Sequence, residues 1–198
     1  MSDTGARLTL VQPGAPAPQG KALAAHDDDE LMLLARANVE GAFDVLVHRH
    51  QRRLLRVAAR YLGRHGAAAD VVQNTFLEIY RARARYQCRG RFQAYLYRVL
   101  LNECRMALRS VRRQRQETAI PADTVGLGES QILMRERQRE VEAALGQLSE
   151  KLREVVLLRY SADLAYDEIA QVLGVPLGTV KRRLFDGMDK LRRNLGES

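Results

Sequence analysis

The stretch YDEIAQVLGVPLGTVKRRLFDGMDKLRRNL, from Tyr166 to Leu195, most constrains what this chain can become. Two helical patterns meet there across a very short break. The first puts Ile169, Ala170 and Leu173 on one face. Gly174 follows, the residue that most easily adopts a positive φ after a helix end. Pro176 suits the first turn of a second helix, where a missing N–H costs nothing. That second pattern spaces Leu177, Val180, Leu184, Leu191 and Leu195 at three-, four- and seven-residue steps, so one stripe can be buried. Its other face carries Thr179, Lys181, Arg182, Arg183 and Lys190. A short glycine turn followed by a helix that is apolar inside and basic outside suits a helix-turn-helix that enters a major groove. A surface helical hairpin with a solvated basic face is the other reading of the same residues.

Charge is distributed unevenly. Between Arg81 and Arg115 eleven arginines stand against one acid, Glu103, a local surplus larger than the +8 of the whole chain. Such a surplus points to a nucleic acid or an anionic surface as partner. Tyr86, Phe92, Tyr95 and Tyr97 are interleaved with it, and Leu96, Leu100, Cys104, Ala107 and Val111 recur at helical steps, which predicts a long amphipathic helix from Phe92 to Val111. Arginines that track phosphates, with rings spaced among them, are what single strands bind. Alternatively, Phe92 and Tyr95 belong to the core and the arginines are only solvated.

The rest of the chain reads as all-α, with two small helical domains joined by a flexible linker. Residues 1–26, rich in Pro, Gly and Ala and without a continuous apolar run, read as a flexible tail and not a secretory signal. No run approaches membrane-spanning length, so the expected location is the cytoplasm, without membrane insertion. Asp27, Asp28, Asp29 and Glu30 precede Leu31, Leu34 and Ala35 and mark a helix start. Phe43, Leu46, Val47, His50, Leu54, Val57, Ala58 and Tyr61 follow helical steps for about five turns. Asp70 opens another helix, with Val72, Phe76 and Ile79 inward. The first domain thus spans 27–115 and the linker, with Pro121, Gly126 and Gly128, spans 116–130. The second domain, 131–198, begins with Met134, Val141, Leu145 and Leu148 on a stripe, and Ser149 is placed to cap a helix from Glu150 to Tyr160. Cys88 and Cys104 form no CxxC pair, and His48 and His50 point to different faces of a helix, so neither pair suggests a metal site or a disulfide framework. An enzyme acting on nucleic acid would need a nucleophile or a carboxylate cluster for metal. Asp27–Glu30 is the only dense acidic group and belongs to a helix start, so no catalytic residue and no cofactor is expected.

Two separated motifs then agree. DVVQNTFLEIYRA with RFQAYLYRVLLNECRMALR resembles the second region of bacterial RNA polymerase sigma factors, and LGQLSEKLREVVLLRY with YDEIAQVLGVPLGTVKRRLFDGMDKLR resembles the fourth. Their order and spacing resemble the small, two-domain extracytoplasmic-function group. The resemblance implies a factor that binds core polymerase, recognises the minus-ten and minus-thirty-five promoter elements and promotes melting. It places Asp70, Gln73 and Asn74 on the surface that docks on the clamp of the largest subunit, with Asn74 where the family usually has an acid. It also implies the flap of the second-largest subunit and an anti-sigma factor as partners. It assigns Tyr86, Arg89, Arg91, Phe92, Tyr95, Arg98 and Asn102 to the single-stranded minus-ten element, with residues 86–91 as the specificity loop and Tyr95 in place of the usual tryptophan. Thr179, Lys181, Arg182, Arg183 and Phe185 match the helix that reads the minus-thirty-five element, Arg182 replacing a common serine. Ala165 stands where the family often has a capping Ser or Thr. A free-standing helix-turn-helix regulator would explain the C-terminal half but leave the aromatic–arginine helix unused.

Overall fold

The computed structural model describes residues 20–63, 68–88, 90–117 and 129–196, and every regular element among them is helical. In order these are α1 (Gly20–Leu23), α2 (Asp28–Arg36), α3 (Ala42–Leu62), α4 (Ala68–Ala82), a 3-10 turn (Arg83–Arg85), α5 (Phe92–Glu117), α6 (Glu129–Gly146), α7 (Glu150–Tyr160), α8 (Tyr166–Leu173) and α9 (Leu177–Asn194).

The N-terminal half is built from α2 to α5. Asp27 accepts the Glu30 N–H at 2.7 Å while the Glu30 carboxylate accepts the Asp27 N–H at 3.1 Å, a reciprocal cap that starts α2. All eight positions expected to face inward from α3 are buried, as are Val72, Phe76 and Ile79 of α4. Leu96, Leu100 and Cys104 of α5 meet them in the core. α5 runs past the expected Val111 to Glu117. Two helices overlap the expected boundaries. Within the expected tail, Gly20–Leu23 is helical, with Leu23 packed on the core and Arg49 donating to the carbonyls of Ala24 and His26; residues 1–19 lie outside the described residues. α5 and α6 enter the two ends of the expected linker, 116–130, and residues 118–128 lie outside the described residues.

In the C-terminal half Gly174 adopts φ 64° and ψ 37°, the left-handed geometry that ends α8, and the Val175 N–H returns to the Ala170 carbonyl at 3.2 Å. Ala165 offers no side-chain cap, but Glu168 accepts its N–H at 2.6 Å, so half of a capping box survives. Ser149 occupies the N-cap position of α7 yet makes no capping hydrogen bond with its side chain. Val180 and Leu184 of α9 are buried, whereas Leu177, the first member of the expected stripe, is exposed. α9 lies close on α7: a Cβ on Gly187 would come within 2.9 Å of Val156 Cγ2.

The two halves pack directly on each other. α7 meets α8 and α9 on one side and α3 on the other, so Arg153, Glu154, Val155, Val156, Leu157 and Leu158 are consecutive buried residues. Arg153 donates to the carbonyls of Leu145, Gly146 and Leu148, which end α6. Arg105 of α5 donates to Glu154 Oε1 at 2.8 Å and reaches Glu150 at 3.0 Å, Tyr61 of α3 donates to Glu154 at 3.4 Å, and Arg60 donates to Ser161 Oγ at 2.9 Å. Burial raises the Glu154 carboxyl above its ordinary range, more than the attraction of Arg105 lowers it. Desolvation opposes the charge on Arg105, and the Glu154 carboxylate outweighs it. The carboxylate is the more buried partner and sets the pH response of the seam.

Two outcomes are expected. Gly187→Ala gains about 1 kcal/mol of helix propensity but crowds Val156 at a cost of about 1–3 kcal/mol. Net destabilisation should appear as a lower urea midpoint; an unchanged or higher midpoint would show that Val156 has room to move. For Glu154, a carboxyl with a raised folded-state pKa binds protons more tightly in the packed state, so the seam should tighten as pH falls through that raised value towards 4.5. Fluorescence transfer between labels on the two halves should rise over that window in the parent chain and stay flat in Glu154→Gln. A seam that loosens on mild acidification would contradict this sign.

Candidate nucleic-acid interface

The basic segment between α4 and α5 is held from behind by α2. Arg83 stacks 3.9 Å over the Tyr80 ring and donates to Asn38 Oδ1 at 3.2 Å, and Arg36 donates to the Tyr86 carbonyl at 3.1 Å. The Tyr86 ring packs edge-on to Phe92 (6.1 Å between centroids) and tilted to Tyr95 (5.9 Å). The Tyr86 hydroxyl donates to Asp29 Oδ1 at 2.6 Å.

This packing separates residues that the sequence reading grouped together. Phe92, expected to face a single strand, is only 1% exposed and packs beside His50, with ring centroids 5.9 Å apart. It supports the surface and does not form it. Tyr86 and Tyr95 are half-buried, while Arg91 and Arg98 are exposed. A cavity of about 380 Å³ opens among Arg85, Tyr86, Arg91, Tyr95 and Arg98, and Gln171 of α8 closes one side of it. Arg98 donates to the Gln171 carbonyl at 2.9 Å and the Val172 carbonyl at 3.4 Å. Asn102 is exposed but accepts from Arg105 at 2.8 Å, toward the seam, and is not in the cavity wall. Arg89 lies outside the described residues. Burial raises the Tyr95 phenol; burial and then the Asp29 hydrogen bond raise that of Tyr86. Both rings stay neutral, the Tyr86 hydroxyl is taken by Asp29, and guanidinium groups surround the rings, a composition suited to stacking bases and pairing phosphates.

Two other surfaces are separate from the cavity. Asp70 and Asn74 of α4 are exposed and Gln73 is half-buried, at spacings that place them on one face. On α9, Lys181 and Arg182 are exposed, Thr179 and Arg183 half-buried, and Phe185 is 75% exposed. Arg182 lies 3.9 Å from Asp186 one turn on, both in solvent, so its guanidinium stays available.

The sequence reading missed Arg85 and Gln171 as cavity residues and Asp29 as a partner of Tyr86. Arg85 sits in the basic run and could have been included. Gln171 enters only because the two halves pack, which no local pattern reports. Among the described residues no group of three or more His, Cys, Asp and Glu is placed to hold a metal, and no helix is long and apolar enough to cross a membrane.

Comparison with known proteins gives two family matches: sigma-70 region 2 over residues 46–114 and sigma-70 region 4 over residues 138–191. The sigma factor CarQ of Myxococcus xanthus is 33% identical over 167 residues, covering 82% of this chain and 94% of its own length. The sigma-H factor of Pseudomonas aeruginosa is 27% identical over 185 residues, covering 87% and 96%. Among solved structures, CnrH in complex with the cytosolic domain of CnrY superimposes with a TM-score of 0.68 at 27% identity, covering 85% of this chain and 97% of that one.

Proposed function

The chain belongs to the RNA polymerase sigma factors, in their extracytoplasmic-function group, and from that premise we propose which of its surfaces performs each part of promoter recognition. As a sigma factor it is a promoter-recognising subunit of polymerase and a transcription initiation factor. The α9 face carrying Thr179, Lys181, Arg182, Arg183 and Phe185 enters the major groove of the minus-thirty-five element, where base edges are readable. The cavity bounded by Tyr95, Arg91 and Arg98 takes an unpaired base of the minus-ten element. Extruding that base costs a few kcal/mol, offset by stacking and by pairing of the adjacent phosphates. Phe92 and Tyr86 set the shape of the cavity from beneath. Asp70, Gln73 and Asn74 dock on the polymerase clamp, the C-terminal half on its flap, and polymerase supplies the chemistry. An anti-sigma factor is the expected further partner, as the cytosolic domain of CnrY is a partner of CnrH in its solved structure, and the factor works in the cytoplasm where polymerase is.

The observation that carries this division of labour is the ring-and-arginine cavity on one half of a chain whose other half ends in an exposed, basic recognition helix. Gel shifts with and without core polymerase test it. Specific binding to promoter duplex should appear only with core. Specific, saturable binding by the chain alone would favour a free-standing regulator.

Two variants separate the surfaces. Asp70→Ala should weaken association with core roughly fivefold or more while helicity is unchanged, since an interface anchor costs over about 1 kcal/mol on truncation; wild-type affinity for core would remove Asp70 from the docking surface. Arg182→Ser should weaken holoenzyme binding to a minus-thirty-five duplex and reduce its salt slope by about one. An unaltered slope would take Arg182 off the phosphates.

A further inference from the structure

The acidic run before α2 does more than start a helix. Asp27 and Glu30 complete the reciprocal cap between themselves. Asp28 turns to α3, where Arg49 and His50 donate to its two oxygens. Asp29 is left for a third task. Its Oδ1 accepts the Tyr86 hydroxyl at 2.6 Å and its Oδ2 accepts the backbone N–H of Phe92 at 3.2 Å. Those two donors are the residues that begin and follow the loop 86–91. One carboxylate therefore holds both stems of that loop, from a helix nearly sixty residues upstream in sequence.

The chemistry explains why the loop needs an outside partner. α5 begins at Phe92, and its first N–H groups have no partner within the helix. The preceding residue, Arg91, has no side-chain acceptor with which to cap it. A carboxylate at that helix start satisfies an orphan donor and sits at the favourable end of the dipole. The same group accepts a short, charge-assisted hydrogen bond from Tyr86. Tyr86 is then fixed at its hydroxyl by Asp29, at its carbonyl by Arg36 and at its ring by Phe92 and Tyr95. Arg91, which lines the cavity, lies inside the span so closed.

We propose that Asp29 is a positioning residue for minus-ten recognition: its carboxylate, bridging the Tyr86 hydroxyl and the Phe92 amide, fixes Tyr86 against the start of α5 so that Tyr95, Arg91 and Arg98 meet an unpaired base in a formed cavity. The inference rests on the assignment of that loop and cavity to the single strand. Asp29 does not line the cavity. Its contribution is to remove the ordering cost that a loose loop would bear on binding.

The test uses holoenzyme reconstituted from core polymerase and the full chain, with a fluorescent single-stranded minus-ten oligonucleotide and a minus-thirty-five duplex as separate probes. Asp29→Ala should weaken oligonucleotide binding about tenfold, as loss of a charge-assisted tie at a preorganised site does, with duplex and core affinity unchanged. Tyr86→Phe, which keeps the ring and removes only the hydroxyl, should reproduce part of the loss. Asp29→Asn, which keeps one acceptor for the Phe92 N–H, should recover part of it. Hydrogen exchange on the same variants gives a second readout: faster exchange confined to residues 86–92 is expected. Oligonucleotide binding within twofold of the parent, or unchanged protection of 86–92, overturns the clamp. If Arg91→Ala and Tyr95→Ala in the parent background also leave oligonucleotide binding intact, the cavity assignment falls and the clamp with it. If those two variants lose binding while Asp29→Ala does not, only the clamp falls.

Discussion

Glu154 carries its charge at the meeting of the two halves, with 5% of its side chain open to water, and the packed arrangement depends on how that charge is satisfied. An uncompensated carboxylate there would cost about 3–5 kcal/mol. Arg105 and Tyr61, both from the N-terminal half, supply the donors. Beside it, Arg153 is equally buried and is satisfied from its own half, by the carbonyls that end α6. The Arg153 guanidinium also lies 5.5 Å from the Tyr61 ring, so the same tyrosine borders both charges. With the two polar residues at its centre accounted for, α7 can be buried across the run Arg153–Leu158 and act as a shared core element for both halves.

That seam shapes the cavity some distance away. Packing α8 against α5 brings Gln171 to the cavity and turns the Arg98 guanidinium onto the carbonyls at the end of α8. In this arrangement Arg98 spends donors on protein that a phosphate would otherwise take, and the cavity is narrowed by a residue from the other half. The α9 face is unaffected, because Lys181, Arg182 and Phe185 point to solvent while Val180, Leu184 and Gly187 lie on the core. Packing of the two halves therefore bears on the cavity beside α5 and leaves the basic face of α9 exposed.

Much of this was legible in the sequence wherever one local pattern decided the outcome. The eight inward positions of α3 and the Gly174 turn followed from helical period and from the left-handed preference of glycine. For Phe92 the sequence supports two readings, and its burial agrees with the core one. It lies four residues before Leu96 and eight before Leu100, so the buried stripe of α5 extends to it, whereas the aromatic–arginine composition points it outward. Arg153 and Glu154 were illegible for a different reason. Charged residues on an eleven-residue helix signal a solvated face, and only the contact between the two halves reverses that sign. The acidic run shows the same limit. Its charge marked a helix start, and the capping pair Asp27 and Glu30 fits that rule, whereas the partners of Asp28 and Asp29 lie more than twenty and more than fifty residues away.

The strength of the seam decides what such packing means for a promoter-recognising protein. Among the described residues its polar ties include Arg60 with Ser161, Arg98 with α8, Arg105 with Glu150 and Glu154, and Tyr61 with Glu154. Hydrogen bonds of this kind contribute about 0.5–1.5 kcal/mol each, and burial of the Glu154 charge offsets part of the total. Contacts of α3 with α6 and α7 and of α5 with α8 add to this. A partner that engages only the separated halves contributes RT ln(1 + [L]/Kd), about 4.1 kcal/mol at a free concentration 1,000 times Kd, and moving an equilibrium from 1:99 to 99:1 takes about 5.5 kcal/mol of differential binding. A charged seam thus gains less than its contacts alone would give, because the Glu154 carboxylate is desolvated within it. An all-apolar seam of the same area, free of that desolvation cost, would hold the two halves more tightly.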